Sequence, residues 1–176
     1  ECLYLLDRID GRNGYFTLQS IQTIVCEAGR SLHIGWCMVD PKTIEKTLPM
    51  LSELGVRKIT FIRCNRSQNQ FKPDLERLQR IQESSIMQSG RTSWIEFAQA
   101  SSLKVFLTEH PDALVMDFGG SVLGHDERDK TVIIGCEGGF DADERALFTP
   151  EQIRHFNIPM ILRSETAVVA VCAALL

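Results

Sequence analysis

The stretch Leu32-His33-Ile34-Gly35-Trp36-Cys37-Met38-Val39, followed at once by Asp40-Pro41, decides the fold class. A continuous apolar run without polar alternation suits a strand buried on both faces, as the strands of parallel sheets are. Asp40 is a capping residue and Pro41 fits the first helical position, so a helix is predicted from there to about Leu54. Gly55 ends it, because glycine takes a left-handed cap without steric penalty.

The same alternation continues outward. Lys58 to Arg63 reads as a strand, and helical spacing runs from about Pro73 through Leu75, Leu78, Ile81, Ile86 and Met87 to Gly90. A helix is predicted near Ser101–Thr108, then strands at Ala113–Asp117 and Thr131–Ile134. A helix near Asp141–Phe148, a short apolar strand-like segment Ile158–Leu162 and a terminal helix from about Ser164 complete the pattern. Strands alternating with helices imply an α/β domain with a mostly parallel sheet covered on both faces. Residues 1–28 read differently: Leu3-Tyr4-Leu5-Leu6 and Tyr15-Phe16-Thr17-Leu18 flank the turn signal Gly11-Arg12-Asn13-Gly14. Two or three strands do not make a stable domain alone, so they read as the end of a small barrel. The expected organisation is a β remnant over 1–28 and an α/β domain over 29–176. The opening Glu1-Cys2-Leu3-Tyr4 carries no initiator Met and no signal-peptide pattern, as in a chain entered partway.

Composition bounds the function classes. The chain of 176 residues is 44% apolar and 24% charged, as in an ordinary globular domain, and no stretch approaches a membrane span. Its six cysteines are scattered, without C-x-x-C pairs or Cys/His clusters at metal spacing, so reduced thiols and no metal are expected. The net charge of −4 argues against a general nucleic-acid coat. However, Arg57 to Arg91 holds eight basic against three acidic residues, a local +5 that leaves −9 elsewhere. Such a segment is either an RNA-facing stretch or a solvated helix face.

Three motifs carry chemistry. Gly135-Cys136-Glu137-Gly138-Gly139 follows a buried strand and precedes the acidic Asp141-Ala142-Asp143-Glu144. Glycines at the C-terminal end of a parallel strand let backbone amides approach a ligand, though a tight turn alone would also use them. The loop is neither a dinucleotide fingerprint nor a phosphate-binding P-loop, and its downstream acids disfavour a phosphate. The second motif is Ile161-Leu162-Arg163-Ser164-Glu165-Thr166-Ala167. Ser164 is expected to cap the helix, Glu165 to favour its dipole, and Arg163 to end a buried strand where only a ligand, acid or carbonyl would compensate it. The third is Gln88-Ser89-Gly90-Arg91, where Arg91 projects beyond a helix cap.

Together these segments resemble the RsmE family, the 16S rRNA uridine-N3 methyltransferases of the SPOUT superfamily, over roughly Ser31 to Leu176. The family's G-P-E-G-G loop, I-L-R-x-E-T-A segment and E-Q-S-G-R-like motif match the three motifs, and Asn65-Arg66-Ser67 looks like its S-x-R-S stretch. Cys136 replaces the usual Pro, and Asn157-Ile158-Pro159-Met160 replaces L-G-P-R. The resemblance implies a SPOUT-type sheet with a C-terminal trefoil knot, preceded by a PUA-like RNA-binding barrel of which 1–28 is the remnant. It also implies S-adenosyl-L-methionine (SAM) as cofactor, 16S rRNA of the small ribosomal subunit as partner, a homodimer, and a cytoplasmic location without membrane attachment. The cofactor would be held by Phe118, Gly119, Ile134, Gly135, Glu137, Gly138, Gly139, Ile158, Met160, Ile161 and Leu162.

Uracil N3 carries a proton, so its methylation requires proton loss and stabilisation of the resulting charge. Arg163 or Arg91 is the expected stabiliser, while Glu165 serves either as base or as an anchor for Arg163. RNA contacts are expected at Arg63, Arg66, Lys72 and Arg91. The alternatives are a SPOUT methyltransferase acting on another rRNA or tRNA nucleotide, or a catalytically idle RNA-binding relative.

Overall fold

The computed structural model describes residues 1–67, 72–127 and 130–176. Strands β1 (Cys2–Asp10) and β2 (Asn13–Ile21) form an antiparallel hairpin separate from the main sheet. Every residue of both strands is exposed, and Leu3, Leu5, Phe16 and Ile21 have no core of their own.

The main sheet contains β3 (His33–Cys37), β4 (Lys58–Ile62), β5 (Glu96–Ala100), β6 (Leu114–Val122), β7 (Thr131–Ile134) and β8 (Ile153–His155). Their order is β5-β4-β3-β7-β6-β8, and every pairing is parallel. The expected parallel α/β sheet is therefore present. Its central strand β3 is the opening apolar run, with Ile34 and Trp36 fully buried. Gly35 lies on it where a Cβ would meet the Phe106 ring at 2.7 Å and Ile62 Cδ1 at 2.9 Å, so its missing side chain is what admits the overlying helix.

The helices are α1 (Pro41–Leu54), α2 (Leu75–Ser89), α3 (Leu103–Glu109), α4 (Ala142–Arg145) and α5 (Ser164–Leu175). Helix α1 starts and stops as expected: the Asp40 side chain accepts from Lys42 N, and Gly55 ends it at φ 93°. Both α2 and α5 pack on α1. Among the described residues no helix is long and apolar enough to cross a membrane.

Several expectations are corrected. Ile158–Leu162 is not a strand; the sheet's last strand is Ile153–His155, and Ile158, Met160 and Ile161 are exposed in the loop that follows. The helix expected over 141–148 is only Ala142–Arg145. Strand β5 has no apolar alternation to announce it. Ser164 does not cap α5, because Arg163 occupies the cap position and the Ser164 hydroxyl is engaged elsewhere. The expectation of reduced thiols throughout also fails. Pairing of β3 with β4 brings the Cα atoms of Cys37 and Cys64 to 5.8 Å, and the two form a disulfide; Cys2, Cys26, Cys136 and Cys172 are free.

Candidate active site

At the C-terminal ends of β6 and β7 lies a cavity of about 470 Å³. Ligands bind there in open parallel sheets, because side chains and amides converge where the strands stop. Phe118, Gly119, Ile134, Gly135, Glu137, Gly138, Gly139, Ile158, Met160, Ile161 and Leu162 all line it. Two chain segments far apart in sequence thus form facing walls.

The first wall is built by local geometry. Strand β7 ends at Ile134, and the chain turns tightly, with Gly139 N donating to the Cys136 carbonyl at 2.9 Å. Gly139 has φ 62°, in the left-handed region that favours glycine. A Cβ on Gly138 would press on Arg66 Cβ at 3.2 Å, and Arg66 Nη1 donates to the Gly138 carbonyl at 2.7 Å. Cys136 turns its thiol inward, 3.7 Å from the Gly139 carbonyl, and burial pushes the thiol pKa up. The thiol is thereby kept protonated and unreactive. The acids after the loop are occupied by their own helix: Asp141 accepts from Glu144 N at 2.8 Å, and Glu144 accepts from Asp141 N at 3.2 Å. Asn65 fastens this box, donating its backbone N–H to Glu144 and its amide to Asp141, both at 2.8 Å. These bonds hold the Asp141 carboxyl below its ordinary range, the Glu144 amide first.

The second wall is the loop after β8. It meets the first through Ser164, whose hydroxyl donates to the Gly135 carbonyl at 2.5 Å and accepts from Trp36 Nε1 at 2.8 Å. The third side is β6 beyond Met116. Asp117 there is almost wholly buried and takes a bidentate pair from Arg145, at 2.7 and 3.0 Å. Sequence reasoning did not find Asp117, Arg145, Arg154 or His155, which all line the cavity. The Asp117–Arg145 pair spans 28 residues, and no local pattern signals it. Arg154 pairs with Glu127. His155 Nδ1 is a buried polar atom with no hydrogen-bond partner among the described residues.

Arg163 and Glu165 flank Ser164, with Arg163 Nη1 4.0 Å from the Glu165 carboxylate. The Arg163 side chain is 84% exposed, so it is not the buried strand-end charge expected from the sequence. Arg66 belongs to the cavity, whereas Arg63 and Lys72 are exposed on the surface. Arg91 is elsewhere. It is buried at the far end of the sheet, donating to the carbonyls of Ser52 at 3.1 Å and Val56 at 2.7 Å and to Ser93 Oγ at 3.1 Å. A guanidinium tied to the end of α1 in this way does not reach the cavity of its own chain.

The cavity has the chemistry of a nucleoside site. Glycine amides and carbonyls supply hydrogen bonds, Ile158, Met160 and Ile161 supply an uncovered apolar side, and Glu137 supplies an exposed acid. Among the described residues no group of three or more His, Cys, Asp or Glu is arranged to hold a metal ion.

Comparison with known proteins agrees with this geometry. A family model described as RNA methyltransferase domain matches residues 26–176. Ribosomal RNA small subunit methyltransferase E of Helicobacter pylori is 36% identical over 166 residues, covering 92% of this chain and 74% of the relative. A methyltransferase of Legionella pneumophila, solved in complex with SAM, superposes with a TM-score of 0.77 at 24% identity, over 98% of this chain and 76% of that one. Ribosomal RNA small subunit methyltransferase E of Neisseria gonorrhoeae, bound to SAM, gives 0.77 at 22% identity, over 97% and 76%. This chain belongs to the RNA methyltransferase family that includes ribosomal RNA small subunit methyltransferase E.

Proposed function

We propose that this chain transfers a methyl group from SAM to N3 of a specific uridine in 16S rRNA. The observation that carries the reading is the joining of the Gly135–Gly139 and Ile158–Leu162 walls into one cavity through Ser164. Two loops of backbone donors and acceptors with an apolar side suit the adenosine and methionine parts of SAM. The cofactor, when bound, supplies an activated methyl group on a sulfonium. The protein's part is alignment and charge management. Arg163, exposed between two cavity residues, is placed to stabilise the charge that develops on the uracil carbonyls. Glu165 orients that guanidinium and is the carboxylate in the first turn of α5 that can take the N3 proton. Arg63, Arg66 and Lys72 supply positive charge toward the RNA backbone.

The architecture is read in the same terms. The SPOUT-type trefoil knot of the C-terminal segment is supported by α5 returning to pack on α1 near the middle of the sheet. A homodimer is supported by the exposed Phe118, Val122, Met160 and Ile161 beside the cavity. Residues 1–28 are the last strands of a PUA-like barrel, which accounts for a hairpin with apolar side chains on both faces; 29–176 is the catalytic domain. A ribosomal substrate puts the protein in the cytoplasm.

The test is incubation of the protein with SAM and small ribosomal subunits or 16S rRNA lacking the modification, followed by nucleoside mass spectrometry. N3-methyluridine is expected. A different methylated nucleoside would replace the uridine assignment, and no methyl transfer would refute the activity.

A further inference from the structure

A second cleft, of about 600 Å³, opens at the other end of the sheet, where the segment before β3, the α1–β4 turn and the α2–β5 loop meet. Arg30, Arg57 and Arg91 line it with Trp94, Glu27 and Glu96. Trp94 is 47% exposed beside the buried Ile95, which anchors the loop beneath it. Its walls are tied: Thr92 N donates to the Cys26 carbonyl at 3.0 Å, and Cys26 N donates to Thr92 Oγ1 at 2.9 Å. Arg91 is a fixed charge in the floor. Arg57 faces Glu96 in a long, solvent-exposed ion pair, its nearest nitrogen 3.7 Å from that carboxylate.

We propose that this cleft binds a nucleotide of single-stranded RNA, stacked on Trp94 with its phosphate toward Arg57. The proposal rests on the reading of the chain as an RNA methyltransferase and names a contact for its substrate away from the reacting base. An exposed aromatic beside arginines is the recurrent platform for unpaired bases, since every base offers a π-face and every link a phosphate. Glu27 and Glu96 add acceptors for base amino groups or the ribose 2′-hydroxyl, which a plain phosphate site would not use. The volume admits one nucleotide.

The chain has two tryptophans, and Trp36 is fully buried, so only Trp94 can be stacked upon by a base. Titration of the full chain with a short uridine-containing single-stranded RNA is expected to quench tryptophan fluorescence. The quench should vanish in W94F, which stacks but does not emit like tryptophan. W94A is expected to weaken RNA binding and raise KM for RNA by about tenfold, with kcat, thermal midpoint and SAM affinity by calorimetry unchanged. Arg57→Glu should weaken binding and flatten its salt dependence. RNA that binds or is methylated normally with no quench and no effect of W94A overturns the cleft and leaves the methyltransferase reading standing. A native chain that neither binds nor methylates RNA overturns both.

Discussion

Ser164 donates a 2.5 Å hydrogen bond to the carbonyl of Gly135 while its oxygen accepts from Trp36 Nε1, so one buried hydroxyl joins the central strand to both walls of the cavity. Removal of that hydroxyl leaves the buried indole N–H unpaired and takes the donor from the part-buried Gly135 carbonyl. Ser164→Ala is expected to cost ~2 kcal/mol, read as a lower urea midpoint, and to weaken SAM binding by calorimetry. Unchanged stability would show that water or a rotated group replaces the link.

Gly139 isolates the price of backbone conformation. It has φ 62°, yet a Cβ there would meet nothing within 4 Å, so Gly139→Ala is penalised by torsion and not by collision. The expected penalty is ~1–2 kcal/mol, equivalent to roughly tenfold in SAM affinity if the loop relaxes out of shape. Calorimetric titration of the variant measures it.

Arg163 and Glu165 are separable by kinetics. Arg163→Ala is expected to lower kcat about 100-fold, the usual effect of deleting a charge stabiliser, with SAM affinity retained. Glu165→Gln should slow single-turnover methylation, and raised pH should restore the rate if the lost function is proton removal. Loss that pH does not restore assigns Glu165 to holding Arg163.

Arg91 should behave as a structural residue for transfer itself. Arg91→Ala takes the guanidinium donor from the Val56 carbonyl and leaves the Ser52 carbonyl only the Gly55 amide; it is expected to cost ~2 kcal/mol. Its SAM affinity should match that of the native protein at a temperature where both are folded.

Stability should also depend on pH through His33. Its ring lies between Thr60 Oγ1 at 2.8 Å and Thr131 Oγ1 at 3.3 Å, edge-on to His110. Burial first, then His110 and Lys58, lower its pKa from 6.5 to about 4. His110 is lowered too, by burial and then Lys58, against a smaller opposing pull from Glu109. Below pH 6.5 the unfolded chain takes up protons that the fold refuses. Stability is therefore full above 6.5, falls as pH drops toward about 4, and levels off once both states are protonated. Chemical denaturation across that window checks it, and His33→Gln should flatten the slope.

Legibility followed locality. Helix α1 could be read to the residue because its cap, its Pro41 and its Gly55 act within a few positions of one another. Strands β5 and β8 escaped notice because each lies at an edge of the sheet: one is rich in Ala, Gln and Glu, and the other is three residues long. The positions lining the cavity came from resemblance to a family, since spacing alone left a plain turn open as the reading of Gly135–Gly139. Arg91 misled because a basic residue after a helix cap looks solvated, and only the packed fold reveals two carbonyls waiting for it. Asp117 and Arg145 had no shared sequence neighbourhood at all.

The Trp36–Ser164–Gly135 link also has a temporal side. Trp36 leaves the ribosome early, Gly135 late and Ser164 later still, so the nascent sheet can pair long before its ligand site exists. Until α5 docks, the indole N–H of the central strand has no partner, and the facing wall is absent. The cavity is thus completed only when α5 docks, after the strands that carry its other wall have emerged.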